Sequence, residues 1–224
     1  MSSIKIWNKK NLKSKIKFTH HPYDYVLRSM LSSYYFDIKN IKEKGNILDV
    51  GTLFLNNLIP FNDRKFHCYG TEVTPESVLI AKNIAKKMKI NCNIKLGFNK
   101  DIPFRKNKFD IVLSINTIHY EENINDVKKA FQEFRRVCKP NGVVLIVTDA
   151  PDHHYFKRAK KINSFNYKLK MPRDPRNGQI FTFFKRKKDL LKIALNYFNK
   201  VEVGRITEKY PKSTLDFWIL KCRC

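Results

Sequence analysis

Asn46-Ile47-Leu48-Asp49-Val50-Gly51-Thr52 is the stretch that decides how this chain folds. A short, mostly apolar run reads as a buried strand, and it ends on an acidic residue followed by a glycine. Downstream, Phe66–Val73 reads as a second strand. Thr74-Pro75-Glu76 then starts a helix: Thr caps, Pro suits the first turn, and Glu favours the positive end of the helix dipole. Val78, Ala81, Ala85 and Met88 line one face of that helix, while Lys82, Lys86, Lys87 and Lys89 fall largely elsewhere. Asn93–Gly97 reads as a third strand, and Phe109–Ile115 is the nearly continuous apolar run that a central parallel strand requires. Ile124, Val127, Phe131, Phe134 and Val137 make an amphipathic helix. Pro140 stops it, Asn141-Gly142 turns the chain, and Val143–Val147 is the fifth strand.

The flanks are read from the same signals. Pro22 opens a helix that places Tyr25/Val26, Ser29/Met30 and Ser33/Tyr34 at helical spacing. Residues 150–180 carry Pro151, Pro172, Pro175 and basic clusters with little periodicity, as an insertion over the active face would. Lys185–Asn199 reads as a helix. Lys200–Lys209 and Ser213–Lys221 read as an antiparallel strand pair joined at Tyr210-Pro211-Lys212. One domain is expected over residues 1–224. It comprises an N-terminal arm and helix over 1–44 with Trp7 as an anchor, a cofactor-binding core over 45–149, the insertion over 150–184, and a terminal helix and hairpin over 185–224.

With 224 residues and 42% apolar content the chain can bury a sizeable core. No apolar run reaches membrane-spanning length, and Met1-Ser2-Ser3-Ile4-Lys5 lacks a secretory apolar core. A soluble cytoplasmic protein is expected, with Cys68, Cys92, Cys138, Cys222 and Cys224 as free thiols. The formal charge of +25 has two readings. It attracts phosphate on nucleic acid, nucleotide sugars or membranes, or it is compositional in a chain rich in Lys, Asn and Ile.

Asp49, Glu72, Phe98 and Asn116 fall at or just past strand ends, where open α/β sheets bind ligands. Glu72 lies 23 residues after Asp49, close to the spacing at which an acidic residue accepts hydrogen bonds from ribose hydroxyls. Asn116-Thr117-Ile118-His119-Tyr120 follows the fourth strand. His119 has an ordinary pKa near ~6.5, suited to a general base; a structural histidine is the alternative. Asp152-His153-His154 invites a metal reading, but adjacent side chains diverge, so no metal is expected and the two histidines face substrate or solvent. Arg176 can hold a phosphate or carboxylate, or pair with Asp174.

The ordered segments from Asn46 to Thr148 resemble the class I S-adenosylmethionine-dependent methyltransferases. The resemblance implies a Rossmann-like fold: a mostly parallel seven-stranded sheet with a C-terminal antiparallel hairpin and helices on both faces. It implies cofactor contacts from Asp49, Gly51, Thr52, Glu72, Val73, Phe98, Asn99, Ile115 and Asn116. His119, Asn116 and Tyr120 would flank the transferred methyl. Leu53 and Leu55 depart from the family, standing where further glycines are common; Asn56 and Asn57 are candidates for a left-handed turn slightly later. Phe98 departs too, replacing an acidic residue with a ring able to stack on adenine.

His21-Pro22-Tyr23-Asp24-Tyr25-Val26-Leu27-Arg28, Asp174-Pro175-Arg176-Asn177-Gly178-Gln179 and Thr214-Leu215-Asp216-Phe217-Trp218 look like segments of methyltransferases from bacterial surface-polysaccharide clusters. That likeness implies a sugar or nucleotide-sugar acceptor, methylated on oxygen or nitrogen, with Tyr23, Arg28, His153, His154 and Arg176 on the substrate side. Three alternatives stay open. The basic clusters at Lys157–Lys161 and Lys185–Lys188 fit an RNA methyltransferase. The glycine-poor loop fits a non-catalytic partner protein on a decayed fold. A nicotinamide dehydrogenase lacks its glycine fingerprint here.

Overall fold

A computed structural model describes residues 21–41 and 44–224. The expected arm over 1–20, with Trp7, lies outside the described residues. Helix α1 (Asp24–Leu31) leads to the first strand, β1 (Asn46–Val50). It ends before Ser33/Tyr34, because Ser32 is already extended. A 3-10 turn (Asn56–Leu58) and α2 (Ile59–Asn62) follow, then β2 (His67–Glu72), α3 (Pro75–Met88) and β3 (Cys92–Leu96). Thr74 accepts from the Ser77 amide at 3.1 Å, and Ser77 Oγ accepts from the Thr74 amide at 3.2 Å. That reciprocal cap starts α3 where the sequence places it. Next come β4 (Phe109–Ile115), a second 3-10 turn (Ile118–Tyr120), α4 (Ile124–Val137) and β5 (Cys138–Asp149).

The sheet runs β3-β2-β1-β4-β5, continued by β10 (Ser213–Arg223) and β9 (Lys200–Tyr210). The first five strands are parallel, and β10 is antiparallel to both of its neighbours. This is the expected Rossmann-like methyltransferase fold, with helices on both faces. Alternation along the strands builds two cores. Leu48, Val50, Val112, Val144 and Ile146 face α4. Ile47, Ile111, Leu113, Leu145 and Val147 face α1 and α3. In α4 the fully buried Phe131 and Phe134 are each worth about 3–5 kcal/mol against truncation to Ala. Among the described residues no helix is long and apolar enough to cross a membrane.

Two segments differ from expectation. Lys139–Gly142 is not a free turn before a strand: β5 already pairs at Cys138 with Phe109, and the register jumps to Ile111 against Val143. The intervening residues bulge out, with Asn141 left-handed at φ 62°. Residues 150–180 are likewise not unpatterned. They hold α5 (His154–Lys157) and a three-stranded antiparallel sheet of β6 (Ala159–Lys161), β7 (Asn166–Leu169) and, just beyond, β8 (Ile180–Thr182). Tyr167, Leu169, Phe181 and Phe183 form its own small core. The last helix, α6, spans Lys187–Ala194.

Candidate active site

The strand order reverses between β1 and β4: β1 leads outward to β2 on one side, while β4 lies on its other side. Loops leaving the two strands therefore part, and a crevice opens at their carboxyl ends. A cleft of about 600 Å³ occupies that place, within the usual range for small-molecule sites.

One half is built by the ends of β1, β2 and β4. Gly51 sits at φ +75°, and a Cβ there would stand 2.7 Å from Thr117 Cγ2. Only glycine fits this bend. The left-handed turn that follows falls on Leu55 (φ 55°), not on Asn56 or Asn57. A left-handed non-glycine residue costs roughly 1–2 kcal/mol. Complete burial of the Leu55 side chain offsets that with about 2 kcal/mol. Glu72 is 1% exposed and lines the cleft. Its Oε1 accepts from the Leu53 amide at 2.7 Å, so the carboxylate also shapes the loop that precedes it. Burial lifts this carboxyl to about 7, against hydrogen bonds from Leu53, Ser77 and Val73.

Gly51, Thr52, Val73, Phe98, Asn99, Ile115 and Asn116 also line the cleft. Asn99 does so with its side chain taken up: it donates to Glu121 Oε1 at 2.9 Å and accepts from Thr117 Oγ1 at 3.1 Å. It fixes the loop after β4. Asn116 is left-handed at φ 56°, which Asn tolerates. It donates to the Tyr25 hydroxyl at 3.0 Å, and its Oδ1 is buried without a partner.

Asp49 is a correction. It lies below the cleft rather than on its wall, 2% exposed, with burial lifting its carboxyl to about 7 against the side chains of Thr52 and Asn57. Every residue of β1 after Asn46 is buried, Asp49 among them. Arg28 is a second correction: it lies outside the cleft, paired with Asp24 at 2.6 Å and set over the Tyr35 ring. It stands one turn of helix beyond Asp24, which does line the cleft.

The other half is built by the loop after β4, the end of β5, and residues 153–176. His119 is 3% exposed, and its ring stacks on Phe181 with centroids 5.0 Å apart. Burial, with His153 and Arg176 nearby, holds it well below the ordinary imidazole range. Asp149, which the sequence reading missed, ends β5 between two histidines. Its Oδ1 is 3.6 Å from His119 Nδ1 and its Oδ2 is 3.6 Å from His153 Nδ1. Its place was readable: it is the acidic residue at the carboxyl end of the strand next to β4.

His153 and His154 do not diverge. Their rings stack with centroids 4.5 Å apart, because His153 is the cap residue of α5 rather than part of it. His153 Nδ1 accepts from the Tyr155 amide at 3.2 Å, and His154 Nδ1 lies 3.1 Å from the Thr214 carbonyl. Arg176 lies over the Tyr155 ring and is held bidentately by Asp174 at 2.7 and 2.6 Å. Tyr23 stacks on Tyr25 at the rim, with ring centroids 5.1 Å apart. Tyr23, Tyr120, His153, His154 and Arg176 all line the cleft.

Residues 48–146 match the family model described as a methyltransferase domain. The match runs from β1 into β5, and with the fold it makes the chain similar to the S-adenosylmethionine-dependent methyltransferases. The chain is 28% identical over 135 residues to an uncharacterized methyltransferase, YcgJ, of Bacillus subtilis, covering 60% of this chain and 50% of that protein. It spans half or less of the length of the first curated relatives it matches. In fold it is similar to the PH0226 protein of Pyrococcus horikoshii, with TM-score 0.67, 19% identity, and coverage of 96% of this chain and 99% of that one. It is also similar to a Burkholderia thailandensis 1,6-didemethyltoxoflavin-N1-methyltransferase, solved with its substrate and S-adenosylhomocysteine. There the TM-score is 0.60 at 13% identity, covering 81% of this chain and 71% of that one.

The residues present fit that cofactor. Gly51 bares the backbone at the end of β1, Glu72 offers a carboxylate at the end of β2, and the orphaned Asn116 Oδ1 waits for a donor.

Proposed function

We propose that this chain is an S-adenosylmethionine-dependent methyltransferase acting on oxygen or nitrogen of a small molecule. The observation that carries this reading is the joined cleft, with Glu72 at one end and the His119–Asp149–His153 group at the other. S-Adenosylmethionine supplies an electrophilic methyl group when bound. Glu72 would receive the ribose hydroxyls, because an ionised carboxylate is acceptor-only and can take both. Gly51 and Thr52 would line the amino-acid end, and Val73, Phe98, Asn99 and Ile115 the adenine side. His119 is neutral at pH 7 and its Nδ1 is without a partner, so it can take a proton from an acceptor in the second half. Asn116 and Tyr120 position that acceptor. The saccharide-related acceptor rests on the flanking sequence motifs.

Calorimetric titration with S-adenosylhomocysteine, against NAD as control, tests the reading. Selective binding is expected, weakened at least about tenfold in Glu72→Ala, the scale of a lost hydrogen-bonded charge. Absence of binding would favour a non-catalytic protein on this fold. His119→Ala should lower turnover more than cofactor affinity.

A further inference from the structure

The lining of the cleft is acidic although the chain is basic. Asp24, Glu72, Glu121, Glu122, Asp149 and Glu208 line it, against Lys100 and Arg176, in a chain of formal charge +25. Both cations are already paired, Lys100 with Asp126 at 2.6 Å and Arg176 with Asp174 through two parallel hydrogen bonds; of the carboxylates, Asp24 is paired with Arg28. The planar fork with which an arginine grips phosphate is thereby taken. In the acceptor half, Asp149 is 1% exposed and its Oδ2 has no hydrogen-bond partner. The atom facing Oδ2 at 3.6 Å is His153 Nδ1. That nitrogen already accepts from the Tyr155 amide, so it carries a lone pair and no proton. With that lone pair taken, Asp149 Oδ2 is the atom left for a ligand's donor. The surrounding walls include the rings of Tyr120 and Phe217, to which a cation is attracted, while the Tyr155 ring already carries Arg176 and Tyr25 stacks on Tyr23.

We propose that the acceptor half of this cleft is a subsite for an amine carried on a compact ring without phosphate, with Asp149 as the receiving carboxyl and aromatic walls beside it. The inference rests on the methyltransferase reading and narrows its acceptor to nitrogen. Among saccharide-related acceptors it selects a free amino sugar over a nucleotide sugar; an amine on an apolar ring shares the same chemistry.

The proton balance follows from the groups facing Asp149. His119 and His153 are held neutral by burial, Arg176 opposes its protonation, and Asp216 favours it. Burial dominates and lifts the Asp149 carboxyl well above its ordinary range. In the empty site burial thus favours the protonated carboxyl. An ammonium seated against it favours the carboxylate instead, so amine binding is coupled to net release of protons to solvent.

The test titrates glucosamine against glucose, and benzylamine against benzyl alcohol, with and without saturating S-adenosylhomocysteine. Buffers of different ionisation enthalpy report proton release. At least one amine should bind about 30-fold tighter than its hydroxyl counterpart, the scale of a charged hydrogen bond, with net proton release. The sugar and apolar arms tell which ring the walls take. Glucosamine 6-phosphate should bind more weakly than glucosamine. Asp149→Asn should abolish both the preference and the proton release, and a melting curve checks that the variant is folded. Equal binding of amines and alcohols by the intact protein would overturn the proposal, as would tighter binding of the phosphorylated sugar. Failure of S-adenosylhomocysteine to bind would instead strike the methyltransferase reading, while the amine titrations still report on the subsite.

Discussion

Glu72, proposed above to receive the ribose, is buried at the expense of the empty fold. Its carboxyl ordinarily titrates at 4.5 and here at about 7, because burial outweighs the hydrogen bonds it receives. A raised carboxyl pKa means that the folded state holds the proton more tightly than the unfolded chain. The ligand-free protein is then unpenalised below pH 4.5 and loses stability as pH climbs to about 7. A shift of this size is worth roughly 3 kcal/mol. Asp49, lifted in the same way and repelled by Glu72, acts over the same window. Urea unfolding of the ligand-free protein from pH 4.5 to 8 should show stability falling with pH, and Glu72→Gln should remove roughly 3 kcal/mol of that fall. Identical slopes in the two proteins would show that Glu72 is ionised throughout. In the role proposed for Glu72, ribose hydroxyls donate to the ionised carboxylate, so S-adenosylhomocysteine affinity should rise over the same interval.

At the scale of elements, the acceptor half depends on a knot tying α5 to the terminal hairpin. Asp216, fully buried on β10, accepts from Arg205 at 2.8 and 2.7 Å, from Thr207 Oγ1 at 2.7 Å, and from the Asp152 amide at 2.7 Å. Asp152 precedes His153, so the knot also sets where His153 stands beside Asp149. Removing the charge leaves donors facing an amide that cannot accept them all. With Arg205 about one-third exposed, Asp216→Asn should cost about 2–3 kcal/mol, read as a lower urea midpoint. A loss below about 0.5 kcal/mol, the size of an ordinary surface change, would mean that the knot is dispensable. The Asp216 side chain was invisible as a tie in the sequence, because its partners come from a neighbouring strand and a distant loop. The β/α run from Asn46 to Thr148 was legible, since each apolar period there exceeds the length of one turn. The sheet of β6, β7 and β8 was not, although Tyr167/Leu169 and Phe181/Phe183 each alternate. Strands of three or four residues give too few repeats to stand out among lysines. The left-handed Leu55 was unreadable for another reason: tertiary burial holds a conformation that its own side chain disfavours.

For the whole molecule, the opposition of a basic chain and an acidic cleft separates two kinds of binding that the charge alone confuses. A surplus of lysine draws phosphate backbones to any face, and such contacts weaken steeply with salt. The cleft holds its charges inside a low-dielectric crevice, where salt within a Debye length of about 8–10 Å screens them far less. Single-stranded RNA should therefore bind at 50 mM salt and lose at least about 100-fold in affinity by 200 mM, the behaviour of several simultaneous phosphate contacts. S-Adenosylhomocysteine affinity should change less than threefold over that range, and saturating RNA should leave it unaltered. Fluorescence anisotropy of labelled RNA, run with and without the nucleoside, reads both. If the two ligands were coupled, each strengthening the other, then by linkage they would share a site or a conformational change. The basic surface would then belong to the reaction, and the RNA methyltransferase reading would replace the small-molecule one.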